Sequence, residues 1–210
     1  MFGLMKQFKS PQGLRGRFIA ALMNQGHKSL STWGLSYVNI EPEWILLDVG
    51  CGGGKTVGRL AQRANAGKVF GIDHSPDMVK YSKKVNKKLI AQNRVEIIEA
   101  SVQKMGFQDN FFDLVTAFET YYFWSEVPAV LQEIKRVLKP NGTLLVVSEM
   151  VKDGTYEVKH KKMIEQTGVR LISLADIRNI LESAGFVDVQ LFTKTNSTWN
   201  TFLAKKRVNN

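Results

Sequence analysis

Residues 45–61, with the sequence ILLDVGCGGGKTVGRLA, decide the fold class of this chain. The stretch begins as an apolar run of strand length, continues through a turn with four glycines, and becomes a segment of helical period near Lys55. Glycines between a buried strand and a helix allow the backbone to approach a ligand closely. The stretch therefore predicts a strand, a ligand-binding turn and a helix in succession.

The chain beyond this stretch repeats the alternation of short apolar runs with segments of helical period. Strands are predicted at residues 44–49, 68–73, 94–98, 112–118 and 143–149, which are apolar enough to be covered on both faces. This alternation is typical of a parallel sheet with helices on both sides. The predicted fold class is therefore α/β, with a doubly wound sheet.

Three helices can be placed from their end signals. The first opens with Ser-Pro-Asp at residues 75–77, a capping residue followed by a residue suited to the first turn, and has one apolar stripe over residues 78–89. The second covers about residues 128–139, before a Pro-Asn-Gly sequence. The third covers residues 173–185, from a capping serine to a terminating glycine.

The chain reads as one domain, residues 1–210, with additions around a core at residues 44–149. Residues 173–210 should form a helix and an antiparallel hairpin, because two strand-like runs are separated by a short polar connection. Residues 150–172 are polar, basic and weakly periodic, which indicates an insertion. Residues 1–40 precede the first strand with two possible helices, and no linker divides the chain.

Composition excludes several classes of protein. Cys51 is the single cysteine, so an intrachain disulfide and a multi-thiolate zinc site are both ruled out. No apolar stretch approaches the roughly 18 residues of a membrane span, so we expect a soluble cytoplasmic protein without stable membrane insertion. The 29 Lys and Arg against 19 Asp and Glu give a formal net charge of +10. Residues 1–40 and 78–95 hold Lys and Arg but no Asp or Glu. These two basic stretches could attract phosphates or anionic lipid, although a solvated helix face explains them equally well.

The glycine turn has three possible interpretations as a nucleotide site. A P-loop has four residues between its first glycine and Gly-Lys-Thr, whereas Gly50 and Gly54 are separated by three. The dinucleotide fingerprint G-x-G-x-x-G is met only in a degenerate form, because its third glycine falls on Lys55 or Val57. The pattern that fits has an acid, Asp48, two residues before the first of several closely spaced glycines.

This pattern resembles the first motif of the class I methyltransferases that use S-adenosylmethionine. Asp73 follows at the end of the second strand, FDLVTAFETYYFW resembles the fourth-strand motif, and LKPNGTLLVVSE resembles the turn and fifth strand. The resemblance covers residues 44–149 and is closest to the small-molecule branch that includes ubiquinone and menaquinone methyltransferases. It implies a Rossmann-like, mostly parallel sheet of seven strands that ends in an antiparallel hairpin.

The resemblance also implies a cofactor, S-adenosyl-L-methionine, and a set of residues that bind it. Asp73 would accept hydrogen bonds from the ribose hydroxyls. Ser101 stands where these enzymes usually have an acid against the adenine amino group, so this contact is weaker or is made by the backbone. The expected cofactor-binding residues are Asp48, Gly50, Cys51, Gly52, Gly54, Asp73, His74, Ser101, Val102 and Phe118.

The acceptor side of the site is expected after the fourth strand, at the carboxyl edge of the sheet. Glu119 is the first candidate for a general base, and Tyr121 and Tyr122 are expected to shape a dry acceptor pocket, while Phe123 is assigned to the core. His27 is the second candidate, because the amino-terminal segment of similar enzymes, here residues 1–40, covers the pocket as a lid. No metal is expected to be required.

The predicted function is methyl transfer to a small-molecule acceptor by in-line displacement at the sulfonium methyl. Amino-methylation of nucleic acid bases is disfavoured, because the fourth motif reads Ala-Phe-Glu-Thr rather than Asp/Asn-Pro-Pro-Tyr/Phe. Two alternatives stay open at this point. One is an RNA or membrane-associated methyltransferase, motivated by the charge, and the other is a catalytically inactive S-adenosylmethionine-binding regulatory protein, motivated by the lack of an unambiguous base.

Overall fold

The computed structural model describes residues 28–154 and 156–208, in which the strands form one sheet. The strands are β1 (Ile45–Val49), β2 (Lys68–Asp73), β3 (Val95–Glu99), β4 (Phe112–Phe118), β5 (Leu138–Ser148), β6 (Phe186–Thr193) and β7 (Asn200–Lys206). Their spatial order is β3-β2-β1-β4-β5-β7-β6. The first five are parallel, and β7 pairs antiparallel with both β5 and β6. The predicted α/β fold class and seven-stranded sheet are confirmed.

Helices connect the strands and cover both faces of the sheet. They are α1 (Lys55–Arg63), α2 (Pro76–Val85), α3 (Lys87–Ala91), α4 (Val127–Val137), α5 (Tyr156–Thr167) and α6 (Leu174–Ser183). Leu46 and Leu47 of β1 belong to two different apolar clusters. This is expected because successive side chains of a strand point to opposite faces of the sheet. The sheet is therefore buried on both faces.

Two predicted boundaries differ from the structure for identifiable reasons. The strand predicted at residues 143–149 begins at Leu138, directly after α4, because Leu138 already pairs with Phe112. The next pair in this register is Leu114 with Thr143, so residues 139–142 bulge out of the ladder. The insertion at residues 150–172, for which no element was predicted, contains α5, which is kinked at His160.

The helix predicted with one stripe over residues 78–89 is divided at Asn86. This residue has φ −100° and ψ 15°, which ends α2 and begins α3. Its buried side-chain Nδ2 donates to the carbonyl oxygen of Ser82 at 3.0 Å and to that of Gly54 at 2.9 Å. The interruption of the helix thus provides a donor that holds the glycine turn.

The described segment before β1 packs on the hairpin that ends the chain. Residues 28–34 are helical, and a 3₁₀ turn follows at Leu35–Tyr37. On this segment, which we call segment 28–37, the Trp33 ring lies 6.0 Å from that of Trp199, and Tyr37 stacks on Phe192 at 4.2 Å. The two flanks of the core are therefore in direct contact.

Candidate functional site

One cavity of about 310 Å³ lies at the carboxyl ends of β1, β2 and β4. In an open α/β sheet this is the edge at which ligands bind, beside the point where the connections change direction. Four parts of the chain form its wall: the glycine turn with the start of α1, the end of β2 with the start of α2, residues 100–103, and residues 118–125.

The glycine turn has a backbone conformation that side chains oppose. Gly50, Gly52 and Gly54 all have positive φ angles, of 66°, 48° and 75°. A Cβ atom on Gly50 would lie 2.6 Å from Cγ2 of Thr120, and one on Gly54 would lie 2.1 Å from Oγ of Ser82. Glycine is required at these two positions for space as well as for conformation.

Asp73 holds the turn against β2. Its Oδ2 accepts the backbone N–H of Gly52 at 2.9 Å, and its Oδ1 accepts the N–H of Ser75 at 2.9 Å. An ionised carboxylate has about four lone-pair sites, so the group can still accept from a pair of ligand hydroxyls. His74 is exposed beside it and also lines the cavity.

Asp48 is a buried carboxyl group on the cavity wall. Thr116 Oγ1 donates to its Oδ1 at 2.7 Å. Burial raises the pKa of Asp48 to about 7, although the bond from Thr116 and the charge of Arg59 act against this rise. Because its pKa lies near neutrality, a cationic group bound in the cavity would favour the ionised form.

Arg59 on α1 lines the cavity and was missed by the sequence analysis. Its Nη2 donates to Oγ of Ser31 at 2.9 Å and to Oγ1 of Thr56 at 3.1 Å. Among the described residues, two buried side-chain polar atoms have no hydrogen-bond partner: Nε of Arg59 and Oγ1 of Thr120. Both residues line the cavity, and buried polar atoms are normally paired, so the wall is suited to a polar ligand.

Glu119 lines the cavity at the end of β4 and has a φ of 56°, which is unusual for a residue other than glycine. Its Oε1 accepts the N–H of Glu149 at 2.7 Å, and its Oε2 accepts the hydroxyl of Tyr122 at 2.9 Å. Burial raises the pKa of Glu119 to about 7, and the charge of Glu149 adds to this rise. The carboxyl group can therefore hold or release a proton near neutral pH.

Tyr121 and Tyr122 do not line the cavity, contrary to the sequence prediction. The 3₁₀ turn Tyr121–Phe123 directs both rings into the core, where the Tyr121 hydroxyl donates to the carbonyl of Met150 at 2.5 Å. Burial raises the pKa of both phenols. Phe123, which was assigned to the core, packs against it and also lines the cavity, as does Trp124.

Residues 101–103 form the far wall of the cavity. Ser101 Oγ is exposed and accepts the N–H of Gln103 at 3.2 Å within a tight turn. The side chain of Gln103, which the sequence analysis did not single out, donates to Oγ of Ser125 at 3.0 Å. This bond connects two parts of the cavity wall that are distant in the sequence.

The structure brings most of the predicted site residues to the cavity. The lining includes Asp48, Gly50, Cys51, Gly52, Asp73, His74, Ser101, Val102, Phe118 and Glu119. Gly54 is not part of the lining and supports the turn from behind through Asn86. His27 and the part of the predicted lid at residues 1–27 lie outside the described residues.

Residues 28–154 and 156–208 contain no group of three or more His, Cys, Asp or Glu side chains placed to hold a metal ion. Nor does any helix in these two ranges combine the length and the apolar character that a bilayer crossing requires.

The chain matches a family model, curated proteins and solved structures. Residues 47–146 match the family model described as a methyltransferase domain. The chain is 30% identical over 122 residues to 2-phytyl-1,4-naphtoquinone methyltransferase of Trichormus variabilis, covering 58% of this chain and 53% of that protein. It is 29% identical over 124 residues to demethylmenaquinone methyltransferase of Oceanobacillus iheyensis, covering 59% and 52%. The chain thus spans about half the length of these curated relatives.

Solved structures share the fold at lower sequence identity. Phosphoethanolamine N-methyltransferase 2 of Haemonchus contortus, solved with phosphomonomethylethanolamine and S-adenosylhomocysteine, superposes with a TM-score of 0.73 at 19% identity. The match covers 95% of this chain and 54% of that one. At this identity the likeness establishes the fold.

Proposed function

Because residues 47–146 match the family model of a methyltransferase domain, we propose that this chain is a class I S-adenosylmethionine-dependent methyltransferase and transfers a methyl group to a small-molecule acceptor. When bound, S-adenosylmethionine supplies an electrophilic methyl group on a sulfonium, which an acceptor attacks in line. The protein must then hold the donor, align the acceptor and exclude water. The cytoplasmic location expected from the sequence is part of this proposal.

The observation that carries the proposal is the polar wall of the cavity. Asp73 presents a carboxylate beside a turn whose glycines leave room for a ligand, and unpaired polar atoms of Arg59 and Thr120 lie on the same wall. An adenosine with an amino acid end needs acceptors for its ribose hydroxyls and partners for its charged groups. The residues present fit such a molecule.

The cofactor-side roles follow from the position of each residue. Asp73 would accept the ribose hydroxyls and Asp48 would face a cationic part of the cofactor, while Gly50, Cys51 and Gly52 let the backbone approach it. The remaining contacts are assigned to the adenosine half. They would come from His74, Ser101, Val102 and Phe118, with Gly54 holding the turn from behind.

The acceptor-side roles rest on Glu119 and its aromatic neighbours. Glu119 would take the acceptor's proton where one must be removed, because its pKa near 7 suits a general base at neutral pH. Tyr122 would orient this carboxyl group through its hydroxyl rather than touch the acceptor, and Tyr121 would pack behind it. Phe123 and Trp124 would provide the apolar wall that excludes water.

A small apolar acceptor, such as a quinone precursor, is the substrate class that this wall favours. The curated relatives named above are methyltransferases of a phytyl-naphtoquinone and of demethylmenaquinone. A lid formed by residues 1–40, with His27 as a second candidate for proton transfer, completes the proposal. Of the lid, only segment 28–37 and the residues up to Ile40 lie in the described part of the chain.

The proposal is tested by calorimetry with S-adenosylhomocysteine and by its release in an acceptor screen. Purified full-length protein should bind S-adenosylhomocysteine and release it when given S-adenosylmethionine with a phenol, quinol, thiol or amine, but not with RNA. Asp73→Ala should weaken binding by roughly 1.5 to 3 kcal/mol, the range for hydrogen bonds to a charged group. Asp109→Ala is the control, because Asp109 is exposed and pairs with Arg136. Tight binding of NADH or ATP, with none of S-adenosylhomocysteine, would reject the proposal.

A further inference from the structure

We propose that Arg59 binds the carboxylate of the cofactor's amino acid end, and that Ser31, on segment 28–37, positions the guanidinium for this role. The inference rests on the proposed function, because it assigns one residue of this chain to one group of that cofactor. It adds a charged contact that lies outside the glycine turn and connects the cavity to the segment before β1.

The hydrogen bonding of Arg59 is incomplete within the described residues. Nη2 has two partners, Ser31 Oγ and Thr56 Oγ1, whereas Nη1 has none and Nε is buried with none. A guanidinium has five N–H donors, and leaving them unpaired in a partly buried position costs free energy. A planar anion with two acceptor oxygens would satisfy this side chain.

The charges on the cavity wall identify which part of the ligand Arg59 would bind. Arg59 is the one Lys or Arg among the lining residues of the described chain, and the carboxyl groups there belong to Asp48, Asp73 and Glu119. S-adenosylmethionine and S-adenosylhomocysteine each carry one anionic group, the amino acid carboxylate. Because acidic groups repel a carboxylate, its favourable partner on this wall is Arg59.

The residues assigned to the two ends of the cofactor lie on different elements of this wall. Asp73, the candidate for the ribose, ends β2, whereas Arg59 lies on α1 and is close enough to Asp48 to oppose the rise in its pKa. Arg59 and Asp48 together offer opposite charges to the carboxylate and the ammonium of an amino acid. Thr120, another lining residue, places its unpaired hydroxyl beside Gly50.

Ser31 does not line the cavity, and it acts through Arg59. It is 0% exposed, and its hydroxyl donates to the carbonyl of Lys28 at 3.1 Å while accepting from Arg59. The buried neighbours Leu30 and Leu35 anchor the segment on which it lies. Ser31 is therefore a positioning residue, and its effect should follow the carboxylate rather than the adenosine.

The experiment compares two ligands by calorimetry with the full-length chain. S-adenosylhomocysteine carries the carboxylate, whereas 5′-methylthioadenosine has the same adenosine and sulfur without the amino acid end. Arg59→Gln should weaken the binding of S-adenosylhomocysteine by roughly 10- to 100-fold and leave that of methylthioadenosine unchanged. Arg59→Lys should recover part of the loss, since it restores the charge without the planar fork. Ser31→Ala should show a smaller loss for S-adenosylhomocysteine alone.

Arg63→Gln is the matched control. Arg63 also lies on α1 and contacts segment 28–37, because its Nη1 donates to the carbonyl of Leu35 at 2.6 Å. Unlike Arg59, it does not line the cavity. It should leave the ratio of the two affinities unchanged. The role of Arg59 is refuted if the wild-type protein binds S-adenosylhomocysteine and Arg59→Gln weakens the binding of both ligands equally or of neither. The proposed function stands in that case. If the wild-type protein binds neither ligand, the proposed function itself fails.

Discussion

Glu119→Gln should change how the stability of the protein depends on pH. In the wild-type protein the pKa of this buried carboxyl group is raised from 4.5 to about 7. Between these two values the native state holds a proton that the unfolded chain has released, so the free energy of unfolding falls as pH rises. The stability is fully present below the unfolded pKa and is lost as pH passes through the folded pKa. A shift of this size corresponds to about 3 kcal/mol.

The substitution removes the titration while keeping the shape of the side chain. The amide oxygen introduced at this position can still accept the N–H of Glu149, and the amide nitrogen can donate to the Tyr122 hydroxyl, which is able to accept. We therefore expect the variant to gain about 2.5 kcal/mol on the wild-type protein between pH 5 and pH 8. Asp48 titrates over a similar range in both proteins, so the difference between their curves isolates Glu119.

Urea unfolding at several pH values between 5 and 8 measures this difference. Glu149→Gln is the control, because it removes the charge that adds to the rise in the pKa of Glu119 and leaves Glu119 buried. The pH dependence of stability should therefore become smaller without disappearing. Parallel curves for the wild-type protein and Glu119→Gln would refute the reasoning. Glu119→Gln should also lower turnover by roughly 10²- to 10⁴-fold if Glu119 is a general base.

Two further predictions concern the glycine turn and the amino-terminal segment. Gly54→Ala should lower the free energy of unfolding by several kcal/mol more than Gly106→Ala. Both glycines have a φ of 75°, but only at Gly54 would a Cβ lie 2.1 Å from Ser82 Oγ. Equal losses in urea unfolding would contradict this. Deletion of residues 1–27 should preserve the fold and S-adenosylhomocysteine binding, since it retains the buried Leu30 and Ser31. It should abolish turnover in the release assay, and normal turnover would reject the lid.

Elements that depend on nearby residues could be predicted from the sequence. The start of α6 is an example, because Ser173 Oγ accepts the N–H of Asp176 at 3.1 Å and donates to its carboxylate at 2.6 Å, all within one turn. β2 and β4 have the predicted bounds, since each is an apolar run buried on both faces. The glycine turn and Asp73 reach the cavity for the same reason, as they follow directly from strand ends.

Features that depend on distant residues could not be predicted. The interruption at Asn86 requires the carbonyl of Gly54, which no local pattern indicates. The inward direction of Tyr122 depends on its hydrogen bond to the carboxylate of Glu119. The positive backbone φ of Glu119 has no sequence signal. Arg59 reads as an ordinary helical residue, and its place on the cavity wall becomes visible only when Ser31 is seen to hold it.

The contact between the two flanks of the core bears on how such a chain could acquire a new substrate. The family match ends at residues 47 and 146, so segment 28–37 and the hairpin of β6 and β7 both lie outside it. Trp33 and Tyr37 pack on Trp199 and Phe192 across that boundary. A recombination that replaced one flank alone would leave half of this aromatic surface facing water. The two flanks should therefore be inherited as a pair, and a chimaera that exchanges specificity should carry both.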